Sequence, residues 1–182
     1  MRLNAAERAA LYDQRGAAYC SPLDLTLPFI DEMLPRSVSS VLDIGCGRGD
    51  ILAYAAKSLK LAGDDATGVD ISSVRIAYAR QQHPALRFVA ADAFEFLSAP
   101  GLRYGAVLLF EVLEHVDDDL KLLALARAAC AGRILGSLPV RVKEMTHARD
   151  FASHEEAARR YRLTSWRARG QHVLFSMEGG TA

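Results

Sequence analysis

The chain has 182 residues, 51% of them apolar, with 22 basic side chains balanced by 22 acidic ones. That size fits one domain, residues 1–182, with a core large enough to need no disulfide or metal scaffold. Zero formal net charge excludes a strongly basic nucleic-acid binder and an acidic solvating tail. Cys20, Cys46 and Cys130 stand far apart, which is neither a disulfide framework nor a zinc knuckle, so a reducing, cytoplasmic setting is expected. Glu7, Arg8, Asp13 and Arg15 leave no room for a signal-peptide core near the start. The apolar run Ala106–Phe110 is far short of the roughly 20 residues that a membrane span needs.

Residues 3–12 have the apolar spacing of a short amphipathic helix. Pro22, Pro28 and Pro35 punctuate the next stretch, where Leu25, Phe29, Ile30, Met33 and Leu34 recur at helical spacing. Residues 1–37 are therefore read as an N-terminal helical cap. Ser40–Ile44 is a short apolar strand running into glycine. Asp50–Leu61 follows as a helix with Ile51, Leu52, Ala55 and Leu59 on one face. Thr67–Ile71 is a strand, Ser73–Gln82 a helix with Ser72 or Ser73 as N-cap, and Leu86–Ala90 a strand. Ala106–Phe110 is apolar throughout, as a parallel strand covered on both faces should be. Asp119–Cys130 has the acidic first turn that suits a helix, and Arg133–Leu138 is a strand stopped by Pro139.

Strands alternating with helices predict a parallel sheet covered by helices. The end of the chain differs. Ser153 and Glu156 make a capping-box pattern opening a short helix to Arg160. Leu163–Ala168 and His172–Met177 read as two strands joined around Gly170, an antiparallel hairpin.

The first strand leads into Asp43-Ile-Gly45-Cys46-Gly47-Arg-Gly49-Asp50. A glycine-rich turn between a first strand and a first helix lets the backbone approach a ligand closely. Asp50 stands where the dinucleotide fingerprint has its third glycine, and a carboxylate at a helix N-terminus repels a pyrophosphate. The loop thus suits a ligand without phosphates, or is a tight turn with none. Asp70 ends the second strand, where a carboxylate accepts from ribose hydroxyls or caps a helix. Asp92 ends the third, where it is a turn residue or an adenine contact, with the Ala93 N–H and the Phe94 ring beside it.

Asp43-x-Gly45-x-Gly47-x-Gly49, then Gly68-Val-Asp70, then Asp92, then Phe110-Glu111-Val-Leu-Glu114-His115-Val resemble class I S-adenosylmethionine-dependent methyltransferases over about residues 38–178. The resemblance implies an α/β, Rossmann-like, seven-stranded and mostly parallel sheet ending in the antiparallel hairpin, with helices on both faces. It implies S-adenosylmethionine as cofactor. Asp43, Gly45, Cys46, Gly47 and Gly49 would hold its methionine end, and Asp70 with Ile71 its ribose. Asp92, Ala93 and Phe94 would hold the adenine, and Phe110 and Glu111 would line the sulfonium. It also implies that the N-terminal helix and the Tyr12…Tyr19 stretch cover the cofactor, with Tyr19 closing on it or serving as a packing tyrosine.

Glu111 and His115 follow the fourth strand at the sheet edge where ligands bind in open α/β sheets. They are the candidate catalytic residues, His115 as a general base or as a residue that shapes the pocket. On a helical turn Glu111, Glu114 and His115 would share a face, and with His147 or His154 as a fourth ligand they would make a divalent-metal set. The same cluster occurs in small-RNA 2′-O-methyltransferases, but the His-rich segment that accompanies it there is missing. Residues 146–154 look more like the lid segment of small-molecule enzymes, and no metal is assigned.

Between residues 127 and 169 stand ten basic and four acidic residues. This is a solvated face, or, with Arg141, Lys143, His147 and Arg149 in the candidate lid at 140–155, a contact for an anionic acceptor. The expected activity is methyl transfer to an O or N atom of a small molecule by a monomer or homodimer. A metal-assisted RNA 2′-O-methyltransferase and a non-catalytic cofactor-binding partner subunit are the other readings.

Overall fold

The structure is a computed structural model that describes residues 3–16 and 22–180; Tyr19 and Cys20 lie outside the described residues. The chain opens on α1 (Ala5–Arg15). Asn4 accepts the Glu7 N–H while the Glu7 carboxylate accepts the Asn4 N–H, a complete capping box. Helix α2 (Leu23–Met33) follows, with Pro28 inside it. The alternating part consists of β1 (Val41–Ile44), α3 (Asp50–Leu59), β2 (Gly63–Asp70), α4 (Ser73–Gln82) and β3 (Leu86–Ala90). It continues through α5 (Ala93–Leu97), β4 (Tyr104–Phe110), a single 3-10 turn (Leu113–His115), α6 (Asp119–Ala128) and β5 (Cys130–Pro139). Helix α7 (His154–Arg160) and strands β6 (Ser165–Arg169) and β7 (His172–Glu178) complete it.

The seven strands form one sheet in the order β3-β2-β1-β4-β5-β7-β6. The first five run parallel, and β7 pairs antiparallel with β5 and with β6. Gly170, at φ +55°, turns the terminal hairpin as its position suggests. Neighbouring residues of one strand face opposite sides. Leu109 joins Leu42, Ile44, Leu122 and Phe175 in one apolar core, while Leu108 joins Val41, Leu52, Ile76 and Phe29 in the other. Leu108 and Leu109 are both fully buried, which at ~1.5–3 kcal/mol for each side chain explains the unbroken apolar run in β4. Helices thus cover both faces.

The structure moves two expected boundaries by several residues and adds one helix. Cys130 opens β5 rather than closing α6, because the helix ends at Ala128. Strand β2 begins at Gly63, through an exposed and polar stretch with no alternation to signal it. The short helix α5 was not foreseen at all. The C-terminal ends of β1, β2, β3 and β4 converge on one edge of the sheet, and α1 lies across that edge.

Candidate functional site

A cavity of about 350 Å³ opens at this edge. Of the residues expected to hold a cofactor, Asp43, Gly45, Cys46, Gly47, Asp70, Ile71, Asp92, Ala93, Phe94, Phe110 and Glu111 all line it. Gly49 does not. It is the left-handed N-cap of α3 (φ +82°), and a Cβ there would fall 2.7 Å from the Phe88 ring, so its role is to let α3 pack on β3. Gly45 is constrained twice, by φ +70° and by Val112, whose methyl lies 2.7 Å from where a Cβ would be. Gly47 needs only its φ of +52°.

Asp70 organises the glycine loop. Its Oδ2 accepts the Gly47 N–H at 2.9 Å and its Oδ1 the Ser72 N–H at 2.8 Å. Burial raises its carboxyl above the ordinary value, and those two N–H groups oppose the rise. Asp43 beside it is more isolated. It is 2% exposed, and its Oδ2 has no hydrogen-bond partner. Burial and then the charge of Asp70 push its carboxyl well up, against one N–H from Leu52 in the first turn of α3. Asp92 is the N-cap of α5, its Oδ1 accepting from Phe94 at 2.8 Å and Glu95 at 3.2 Å. The capping role and the cavity-facing position therefore coincide in one residue.

Glu111 departs from the expected helical turn. It stands in the left-handed region, at φ +57°, and only residues 113–115 form a turn. Its Oε1 accepts from Ser137 Oγ at 2.8 Å, and its Oε2 is 3.7 Å from His172 Nε2. That contact raises the His172 imidazole above its ordinary value. Glu111 therefore does not share a face with Glu114 and His115, and the expected four-residue metal set loses one member.

His115 lines the cavity, and its Nδ1 donates to the Thr146 carbonyl at 3.0 Å, which fixes the tautomer with its lone pair on Nε2. Burial pushes it down to about 4, so it is neutral at pH 7. The Tyr12 ring meets it edge-on at 6.0 Å, and burial pushes the Tyr12 hydroxyl up to about 12. Glu114 is fully buried and neither carboxylate oxygen has a hydrogen-bond partner. Burial, then the charge of Glu111, raise its carboxyl well above the ordinary value, opposed by its own backbone N–H.

The segment 140–155 is packed down rather than free. The Glu114 carbonyl accepts the N–H groups of Ala148 and Arg149, and Arg141 N–H donates to Phe151. The side chains proposed there for an anion are partly committed elsewhere. Arg149 donates to the Val116 and Asp117 carbonyls and pairs with Asp119 at 3.0 Å, while His147 is 3% exposed and donates to Asp150. Asp119 also receives Arg160 at 2.6 Å and the Tyr161 hydroxyl at 2.7 Å, so it is the hub of the α6–α7 contact.

Tyr12, at the start of the stretch expected over the cofactor, lines the cavity, and so do Arg8, Arg15 and Arg75, which the sequence did not single out for it. Arg8 is 5% exposed and pairs with Asp117 at 2.5 Å; Arg75 lies over the Tyr12 ring at 4.7 Å. Asp13 accepts from Ser72 Oγ at 2.6 Å. The alternation of apolar and charged residues over 3–12 announced a helix, but nothing in it announced these partners.

A parallel sheet in this order, with an antiparallel last pair and a glycine loop at the ligand edge, is the methyltransferase fold. The methyltransferase domain family matches residues 12–178, and the chain belongs to that family. A trans-aconitate 2-methyltransferase of Delftia acidovorans is 35% identical over 112 residues, 59% of this chain and 40% of that protein. A ubiquinone biosynthesis O-methyltransferase of Aromatoleum aromaticum is 32% identical over 111 residues, 59% of this chain and 44% of that protein. The matched regions thus span less than half the length of these relatives. The plantazolicin methyltransferase BpumL, solved with SAH, superposes with a TM-score of 0.65 at 17% identity, covering 97% of this chain and 91% of that one.

Proposed function

We propose that the protein is an S-adenosylmethionine-dependent methyltransferase acting on an oxygen or nitrogen atom of a small molecule. The observation that carries this reading is the buried Asp43 carboxylate, one oxygen of which has no hydrogen-bond partner, at the wall of a cavity built on a glycine loop. An uncompensated buried carboxylate is costly, and a cationic ligand relieves that cost. S-adenosylmethionine carries an ammonium and a sulfonium, so the donor set fits it. Asp43 and the Gly45–Gly47 backbone would hold the methionine end. Asp70 retains acceptor capacity for ribose hydroxyls beyond its two backbone bonds. Asp92 and the Ala93 N–H would meet the adenine edge, with Phe94 against the ring. Arg15 of α1, paired only loosely with Glu144 at 3.7 Å, has donors to spare for the methionine carboxylate.

When bound, the cofactor supplies a methyl group already activated by its sulfonium charge. The protein's part is to orient and to exclude water, and orientation alone contributes up to about 7–11 kcal/mol. Tyr12, Glu144 and Thr146 bound the cavity beside His115 and define the acceptor end. Ser137 and His172 hold the Glu111 carboxylate still at the base of that end. The O-methyltransferase relatives favour an oxygen acceptor.

Calorimetry with S-adenosylmethionine and with its demethylated product tests the cofactor. A radiolabelled donor offered with a panel of hydroxylated and carboxylated metabolites tests the acceptor. Binding of neither cofactor form refutes the reading.

A further inference from the structure

Behind the acceptor end of the cavity, Glu114, His115 and His147 offer one ligand atom each, all within 4.8 Å of one another. Glu114 is fully buried and His147 is 3% exposed. The His115 ring meets the His147 ring at a centroid distance of 4.9 Å. Neither oxygen of Glu114 has a hydrogen-bond partner.

Both rings are oriented from behind. His115 Nδ1 is 3.0 Å from the Thr146 carbonyl, and His147 Nδ1 is 3.0 Å from an Asp150 carboxylate oxygen. Carbonyls and carboxylates only accept, so both protons are on Nδ1 and both Nε2 atoms present lone pairs. His115 Nε2 stands 3.6 Å from Glu114 Oε1. Two electron-rich atoms, His115 Nε2 and Glu114 Oε1, therefore face each other, and a ligand atom of His147 lies within 4.8 Å of its counterparts on both residues. A single proton serves one pair of these atoms; a cation serves all three. Carboxylate or carbonyl support behind a ligating imidazole is the usual outer shell of a metal site.

We propose that Glu114, His115 and His147 bind a divalent cation of the zinc class, with Asp150 and the Thr146 carbonyl as its outer shell. One carboxylate and two imidazoles are a three-ligand set that leaves a position open. Bonds of about 2.0–2.2 Å hold ligand atoms roughly 3.4 Å apart in a four-coordinate site, so atoms now within 4.8 Å of one another draw together by up to about 1.4 Å when the ion binds. His115 and Thr146 line the cofactor cavity, which puts the open position on the acceptor side. There the ion takes an oxygen of the acceptor and favours its deprotonated form. This last role rests on the methyl-transfer reading; the site itself does not.

The set differs from the one expected from sequence, because Glu111 is turned away to Ser137 and His172. It also requires His147, which comes from a segment 32 positions after His115 and is brought in by the Glu114 carbonyl bonds to Ala148 and Arg149.

The test is metal uptake by the full chain, stripped with a chelator and free of cofactor and acceptor, so its failure is distinct from failure of methyl transfer. Co2+ is titrated and followed by its visible ligand-field bands, and Zn2+ is then measured by competition. The expected result is one ion per chain with four- or five-coordinate Co2+ bands. Glu114→Gln and His147→Ala should weaken binding at least 100-fold, and Asp150→Asn about 10-fold. His154→Ala, at a half-buried imidazole held by the Gly170 carbonyl away from the cluster, should leave binding unchanged. Melting curves of the chelated variants confirm that each is folded. Absence of Co2+ bands at stoichiometric metal, or equal affinity in folded wild type and Glu114→Gln, overturns the proposal and leaves a proton shared between Glu114 and His115.

Discussion

Replacing Asp43 by Asn separates the stability of the empty protein from its affinity for cofactor. The substitution keeps the shape and removes a charge that is 2% exposed, has an unpartnered oxygen and faces Asp70. A buried ion without a partner costs several kcal/mol when fully charged. Because burial already raises this carboxyl, part of that cost is avoided by protonation. The expected gain for the empty protein at pH 7 is therefore about 1–3 kcal/mol, or roughly 3–10 °C in Tm for a chain of this size.

The gain depends on pH with a definite sign. A carboxyl raised on folding makes the native state bind more protons than the unfolded one, so stability falls as pH rises through the raised value. The advantage of Asn is absent below the ordinary aspartate value of about 3.9 and opens as pH increases. Cofactor affinity should move the opposite way, falling at least tenfold, about 1.4 kcal/mol. The assay is thermal unfolding of both proteins from pH 4 to 8, with and without S-adenosylhomocysteine and S-adenosylmethionine. A variant that melts lower than wild type, a gap that is flat with pH, or unchanged cofactor binding refutes the argument.

Asp70→Ala removes the acceptor from the Gly47 and Ser72 N–H groups; it should cost about 2–3 kcal/mol and weaken cofactor binding at least tenfold, read by denaturant unfolding and calorimetry. Gly45→Ala should lower cofactor affinity through both the Val112 clash and the left-handed φ, and Val112→Ala in the same chain should restore only part of it, because the backbone strain remains. Asp119→Ala removes the carboxylate shared by Arg149, Arg160 and the Tyr161 hydroxyl; Arg149 keeps its two carbonyl acceptors and Arg160 reaches solvent, so the cost in a urea titration should be about 2–3 kcal/mol. Burial works to raise the Asp119 carboxyl, but those donors hold it below the ordinary value, so its contribution is present above that value and fades as pH falls through the lowered one.

The parallel sheet was legible because burial on both faces leaves a local mark. Ala106–Phe110 has no polar interruption, and the strand ends carry glycine or aspartate. The last hairpin was legible because Gly170 lies between two short runs of strand-forming residues. Helix α5 was not, since Ala93–Leu97 is too short for a periodic signal and its N-cap Asp92 was already read as a ligand contact. The boundary of α6 slipped because Cys130 is equally at home ending an apolar helix or opening a buried strand.

The cavity residues were read well where one strand end fixes them, as at Asp43, Asp70 and Asp92. They were missed where distant segments meet. Arg8 reaches Asp117 across 109 positions, and Arg75 reaches back to Tyr12. Glu111 was read on the wrong face because a single left-handed residue reverses the direction of the turn, and residue type alone does not announce that.

None of the described residues of α1 belongs to either apolar core. The helix is held across the cavity by Arg8 on Asp117, Asp13 on Ser72, and Arg75 on Tyr12 and the Gly16 carbonyl. A covering fastened by charge rather than by greasy contact answers to dissolved salt. Arg8 and Arg75 are buried and screened little, but the Asp117 carboxylate that Arg8 holds is mostly exposed, so ions at about 0.15 M weaken that fastening from its outer side. Lifting of α1 from the cavity should therefore become easier with ionic strength while the sheet beneath keeps its melting point, so access to the cavity answers to the electrolyte around the protein rather than to its core.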